Sequence, residues 1–195
     1  LKCPSFDAKM TMFSRTRLTL ARERRGLSGV QLSNFSGVTS ITISRLESGQ
    51  TKDPDYETIR KLAKILNYPV EFFFMDEPEE LDTGSVSFRS LKKMSAKQKK
   101  AALWAGTLGL ELYDWVEKTY CLPQPALPDF RGCEDVESAA RLTRQEWHLG
   151  EKPIGNVLRL LESKGVRVLA LEEANKNVDA FSFWRSGKPF VFLNT

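Results

Sequence analysis

The stretch Leu27-Ser-Gly-Val-Gln-Leu-Ser-Asn-Phe-Ser-Gly-Val-Thr-Ser-Ile-Thr-Ile-Ser-Arg-Leu-Glu-Ser-Gly-Gln50 decides the fold. Ser28 has the side chain of an N-cap, so a short helix is expected from Gly29 to Phe35. Gly37 breaks it, because glycine takes positive φ without steric cost. Thr39 then caps a second helix, Ser40 to Glu47, which Gly49 ends. Leu32, Val38, Ile43 and Leu46 are the apolar positions this pair must bury.

Two short helices joined by a three-residue turn containing glycine are the geometric signature of a helix-turn-helix. Working outward, Arg15 to Arg25 places Leu18, Ala21 and Arg22 at helical spacing, with Gly26 as the stop. Tyr56 to Leu66 carries Ile59, Leu62, Ala63 and Leu66 along one helix face. The apolar run Val70 to Phe74 closes the module, giving five helical segments.

The segment Leu27 to Gln50, followed by the helix DYETIRKLAKILNY, resembles the XRE (lambda-repressor-like) helix-turn-helix family over residues 13–75. The resemblance implies that the helix from Ser40 enters the DNA major groove. Carried over by position, Ser40, Ile41, Ser44 and Arg45 face base edges. Arg45 is the long donor suited to guanine, and Ile41 can pack on a thymine methyl. Thr39, Gln50, Thr51 and Lys52 flank the helix as phosphate contacts. The backbone N–H groups of Gly29 and Val30 do the same from a helix N-terminus. The family commonly has Gln where Gly29 stands, so only backbone is offered there. Arg22 and Glu47 resemble a pair that bridges the first and third helices; Glu47 is read as structural and Arg22 as structural plus phosphate-binding.

Charge supports this division. The 195 residues carry a net charge of +4. Residues 1–75 hold 12 Lys/Arg against 7 Asp/Glu. Residues 76–88 hold five acids and no base, with Pro78 and Gly84, and read as an acidic linker. Residues 89–100 hold six bases, including Lys92, Lys93, Lys97, Lys99 and Lys100. These either neutralise further phosphates or form a solvated helix start. Residues 101–195 are near neutral, with 11 bases and 13 acids.

In the second half, Ser95 caps a long helix from Ala96 to about Tyr120, with Trp104, Leu108, Leu112 and Trp115/Val116 on its apolar face. A second helix runs from Val136 to His148, and a third from Ile154, after Pro153, to Ser163. Strands follow at Val166 to Leu171, Ala180 to Trp184 and Phe190 to Leu193, the last two as a hairpin about Arg185-Ser-Gly-Lys188. The expected fold is therefore mainly α with a small α+β C-terminal part. A five-helix domain precedes a long helix, two shorter helices and a three-stranded antiparallel sheet.

The stretches SFRSLKKMS (Ser87 to Ser95), Ala139 to Leu171 and Val178 to Thr195 resemble the N-terminal portion of ImmA/IrrE-like metallopeptidases. The expected domains are 1–75, helix-turn-helix; 76–88, linker; and 89–195, a partial ImmA/IrrE-like domain. In that family a His-Glu-x-x-His helix follows the strand matched by Pro189 to Thr195 and holds zinc. The sequence ends before it, and His148 is the single histidine. No residue is assigned a catalytic or metal-binding role. Glu172, Glu173 and Asp179 offer at most weak divalent-ion binding. The chain as it stands is expected to be no enzyme and to use no cofactor, although a longer parent with that helix could be a zinc metallopeptidase.

The expected function is a sequence-specific DNA-binding transcriptional regulator, a repressor in a phage, antitoxin or stress setting. Its partners are double-stranded DNA, a second copy in a homodimer and a protein held by the C-terminal half. The alternatives are a fragment of a zinc-dependent regulatory peptidase and a protein-binding antitoxin. No window is apolar enough to span a membrane, and Leu1 to Met10 lack a signal-peptide core. Cys3, Cys121 and Cys133 have no CxxC spacing and read as reduced thiols of a cytoplasmic protein.

Overall fold

The computed structural model describes residues 12–82, 84–88, 94–171 and 179–194. Cys3, Arg89, Lys92, Lys93, Glu172 and Glu173 lie outside them. The chain forms two compact units, Leu1–Leu81 with Lys92–Leu112, and Asp82–Leu91 with Tyr113–Thr195.

The first unit begins with four helices: α1 (Arg15–Arg24), α2 (Gly29–Ser36), α3 (Ser40–Glu47) and α4 (Tyr56–Leu66). Each start is set by a short polar side chain that accepts from an otherwise unpaired N–H of the first turn. Ser14 accepts from Arg17, Ser28 from Gln31, Thr39 from Thr42 and Asp55 from Thr58. At Ser28 the cap is reciprocal, since Gln31 Oε1 also accepts from the Ser28 N–H at 2.9 Å. A 3₁₀ turn, Val70–Phe74, closes the bundle, and the Phe73 carbonyl accepts from the Ser14 N–H at 2.8 Å.

The core contains Leu18, Ala21, Ile59, Leu62, Ala63 and Leu66, expected from helical spacing, and Leu32, Val38, Ile43 and Leu46, expected as the positions the helix-turn-helix must bury. Leu20, Phe72 and Phe73 complete it. Burying one such Leu, Ile or Phe side chain contributes roughly 1.5–3 kcal/mol.

The acidic stretch is not a simple linker. Pro78 is buried, the Asp76 carbonyl accepts from Arg17 Nε at 2.7 Å, and the Glu79 carbonyl accepts from Thr107 Oγ1 at 3.0 Å. Its far end forms a two-residue strand, β1 (Ser87–Phe88), in the second unit. Two residues are too few for alternation to reveal a strand.

The long helix, α5 (Ala96–Thr119), contributes Ala96–Leu112 to the first unit. Trp104 and Leu108 pack on the helical core. The expected apolar face is only half right: Leu112 and Trp115 are about half exposed. The buried positions are Ala102, Leu103, Ala105, Gly106, Thr107, Gly109 and Leu110. Small residues carry little hydrophobic weight in a sequence pattern, yet they permit the closest backbone approach.

The second unit holds α6 (Val136–Glu146), α7 (Val157–Ser163), β2 (Arg167–Leu171), β3 (Ala180–Arg185) and β4 (Lys188–Asn194). α6 ends two residues earlier than expected; His148 has φ +54° and is exposed. α7 starts at Val157, because Asn156 rather than Pro153 begins it, accepting from the Arg159 N–H at 2.9 Å.

Among the described residues the sheet has four strands in the order β1-β3-β4-β2, and it is mixed. β3 and β4 form the expected antiparallel hairpin, turning through Ser186 and Gly187, both at positive φ as a type I′ turn needs. β2 instead runs parallel to β4, pairing Arg167 with Phe190 and Leu171 with Asn194. The three-stranded antiparallel sheet is thus corrected: alternation identifies which face a residue occupies but not which way a neighbouring strand runs. Phe181, Phe183, Phe190 and Phe192 stack on one buried face, with ring centroids 4.6–6.4 Å apart.

Candidate nucleic-acid interface

The turn between α2 and α3 is fixed from both sides. Gly37 ends α2 in the left-handed region at φ +72°, its N–H bonded to the Ser33 carbonyl. Val38 is buried, and its N–H donates to Ser36 Oγ at 3.2 Å. Thr39 then starts α3, with its hydroxyl accepting from the Thr42 N–H. Ile43 and Leu46 pin one face of α3 into the core at no more than 1% exposure.

That burial decides what the opposite face presents. Ser40, Ile41, Ser44 and Arg45 are all exposed, Ile41 to 64%. They follow the i, i+1, i+4, i+5 spacing of a single helix face. Among the described residues, the Arg45 side chain makes no ion pair or hydrogen bond, so all its donors are available.

The flanking positions differ in what they can donate. Gly29 and Val30 occupy the first turn of α2, where the cap engages only the Gln31 N–H; their own N–H groups point outward from the positive end of the helix. Gln50 and Lys52 are exposed, while Thr51 is half-buried, its N–H donating to the Arg45 carbonyl at 3.2 Å. The Thr39 hydroxyl is exposed but already lies 2.9 Å from Thr42 Oγ1.

Arg22 joins α1 to α3. Its Nε and Nη2 donate to the two carboxylate oxygens of Glu47 at 2.6 and 3.0 Å, and its Nη1 donates to the Leu27 carbonyl at 2.9 Å. Only 14% of the Arg22 side chain remains exposed. Most of this guanidinium is committed to orienting α3 and the loop before α2.

Arg15 was not foreseen. Its Nη1 donates to the Ser48 carbonyl at 3.2 Å and its guanidinium lies over Gly49, where a Cβ would meet it at 3.2 Å. The contact joins residues 33 apart, and an exposed arginine in a first turn has no local signal for it.

Residues 18–73 match the helix-turn-helix family model. Two Bacillus subtilis (strain 168) proteins are similar to the chain. The uncharacterized HTH-type transcriptional regulator RghRB is 36% identical over 76 residues, covering 36% of this chain and 55% of that protein. The HTH-type transcriptional repressor RghR is 44% identical over 55 residues, covering 28% of this chain and 41% of that protein. The chain thus spans about half the length of the curated relatives it matches. With the capped helices, the glycine turn and the buried positions of α2 and α3, residues 18–73 form a helix-turn-helix domain.

Proposed function

We propose that this protein is a sequence-specific double-stranded DNA-binding transcriptional regulator, acting as a repressor. The observation that carries the reading is the exposed face of α3, with Arg45 unpaired among the described residues. Arg45 reads a guanine through O6 and N7, Ile41 packs on a thymine methyl, and Ser40 and Ser44 take neighbouring edges. Gly29, Val30, Gln50, Thr51 and Lys52 bind phosphates, with smaller shares for Thr39 and Arg22, whose donors and acceptors are largely used internally.

The reading is supported by the similarity to two bacterial regulators, one of them named a transcriptional repressor. It includes a homodimer, whose two α3 helices would enter successive major grooves about 34–36 Å apart, and a protein partner for the C-terminal half. That half is read as ImmA/IrrE-like, in a cytoplasmic protein. Selection of bound sites from random duplex DNA by the full chain tests the function. An enriched motif is expected; recovery of unenriched sequence at every salt concentration would overturn it.

A further inference from the structure

α5 lies antiparallel to α1. Glu111 meets Arg17 at 2.6 Å, Trp104 Nε1 donates to Glu23 at 2.8 Å, and Lys100 Nζ donates to Glu23 at 3.1 Å. One turn further towards the N-terminus of α5, Lys97 lies over Gly26, where a Cβ would stand 3.0 Å from its Cε and 3.6 Å from its Nζ. Lys97, Lys100, Trp104, Leu108 and Glu111 follow helical spacing, so one stripe of α5 makes this whole contact.

This register carries Lys97 to the loop that opens α2. The step from Gly26 to Gly29 spans at most about 11 Å of chain. Gly29 and Val30 offer phosphate only backbone N–H groups there. Lys97 is exposed, and among the described residues it makes no ion pair. Glu23, the carboxylate of α1 on this side, is already engaged by Lys100 and Trp104. The first turn of α5 contains no acid, although the helix dipole favours one there. A cation kept at that cost, beside a helix start aimed at DNA, calls for an anion from outside the chain.

We infer that Lys97 is a DNA phosphate contact, and that the DNA-binding surface extends from the helix-turn-helix onto α5. The inference rests on the DNA-binding reading above. Lys97 adds affinity and register without sequence information, since it reaches backbone rather than bases.

The test is fluorescence anisotropy of the full chain on its selected duplex and on random duplex, at several salt concentrations. Lys97→Gln is expected to weaken both complexes by a similar factor. It should also lower the slope of log affinity against log salt by about 0.9, so that a fourfold rise in salt weakens the variant about 3.5-fold less than the parent. Lys97→Arg should keep the parental slope, and Lys118→Gln, near the other end of the same helix, should leave both quantities unchanged. A parental slope for Lys97→Gln on DNA that the parent binds overturns the inference alone. Absence of parental binding to either duplex overturns the DNA-binding reading and this inference with it.

Discussion

Arg17 and Glu111, 94 residues apart, form a two-pronged ion pair at 2.6 and 3.3 Å. The Arg17 side chain is 2% exposed, and its guanidinium also lies over the Phe72 ring, 4.9 Å from the centroid. A guanidinium so buried needs its carboxylate, because removing one partner leaves an uncompensated charge out of water. Glu111→Ala is therefore expected to destabilise the first unit by about 2–3 kcal/mol, below the value for a fully buried pair because Glu111 keeps one-third of its exposure. Urea unfolding followed by tryptophan fluorescence measures it, and an unchanged midpoint would refute the assignment. A segment cut at residue 75 loses this partner too, and should bind DNA only with reduced stability.

At the α3 face, Arg45→Ala and Lys52→Ala should fail differently. If α3 reads DNA as proposed, the first removes a bidentate base contact and is expected to cost about 1–3 kcal/mol on the selected site, relaxing choice at one base pair. The second removes a phosphate contact, weakening all sequences alike and lowering the salt slope by roughly one unit. Competition titrations with specific and random duplex separate them. Equal losses on both DNAs for Arg45→Ala would remove that residue from the reading contact.

Local signals explain why the first domain was so legible. Ser28, Thr39 and Asp55 cap helices within three residues of themselves, and Leu18 to Leu66 repeat with the helical period. Each is decided by its immediate neighbours. Arg15 on the Ser48 carbonyl, Arg17 on Glu111 and Glu23 on Trp104 join residues 33 to 94 apart, and no spacing rule reaches that far. The parallel pairing of β2 with β4 is hidden for the same reason. Ser40, Ile41, Ser44 and Arg45 were carried over by position from the family resemblance, and the burial of Ile43 and Leu46 is what leaves them exposed. The Arg22–Glu47 bridge was expected from the family resemblance, whereas the further bond from Arg22 to the Leu27 carbonyl is a tertiary event that no spacing rule shows.

In the second unit, Glu117 receives Lys188 Nζ at 2.5 Å and Arg167 Nε at 3.1 Å. The Lys188 hydrogen bond, helped by Arg167 and opposed by desolvation, holds the Glu117 carboxyl below its ordinary value. A depressed folded-state pKa means that stability is present above the unfolded-state value, about 4.3, and is lost as pH falls through the folded one. Glu117→Gln should thus lower the melting temperature of this unit at pH 7. The gap between parent and variant should narrow steadily below about pH 5. A gap independent of pH between 7 and 3 would mean that the carboxylate charge contributes nothing.

The Arg22–Glu47 pair permits a test of whether Arg22 touches DNA at all. Both of its carboxylate bonds point into the domain, and the Leu27 carbonyl takes a third donor. If its role is to orient α3, then Arg22→Ala and Glu47→Ala remove the same interaction. The double variant should then be no worse than either single one, giving a coupling energy of about 1–3 kcal/mol in stability. DNA affinity should fall with both variants, while the salt slope stays parental, because no phosphate contact has been removed. If Arg22 also holds a phosphate through its remaining donors, Arg22→Ala alone lowers the slope, by about 0.9. The committed donors and the 14% exposure keep any phosphate share of Arg22 small. A slope lowered by Arg22→Ala and unaffected by Glu47→Ala would establish the second.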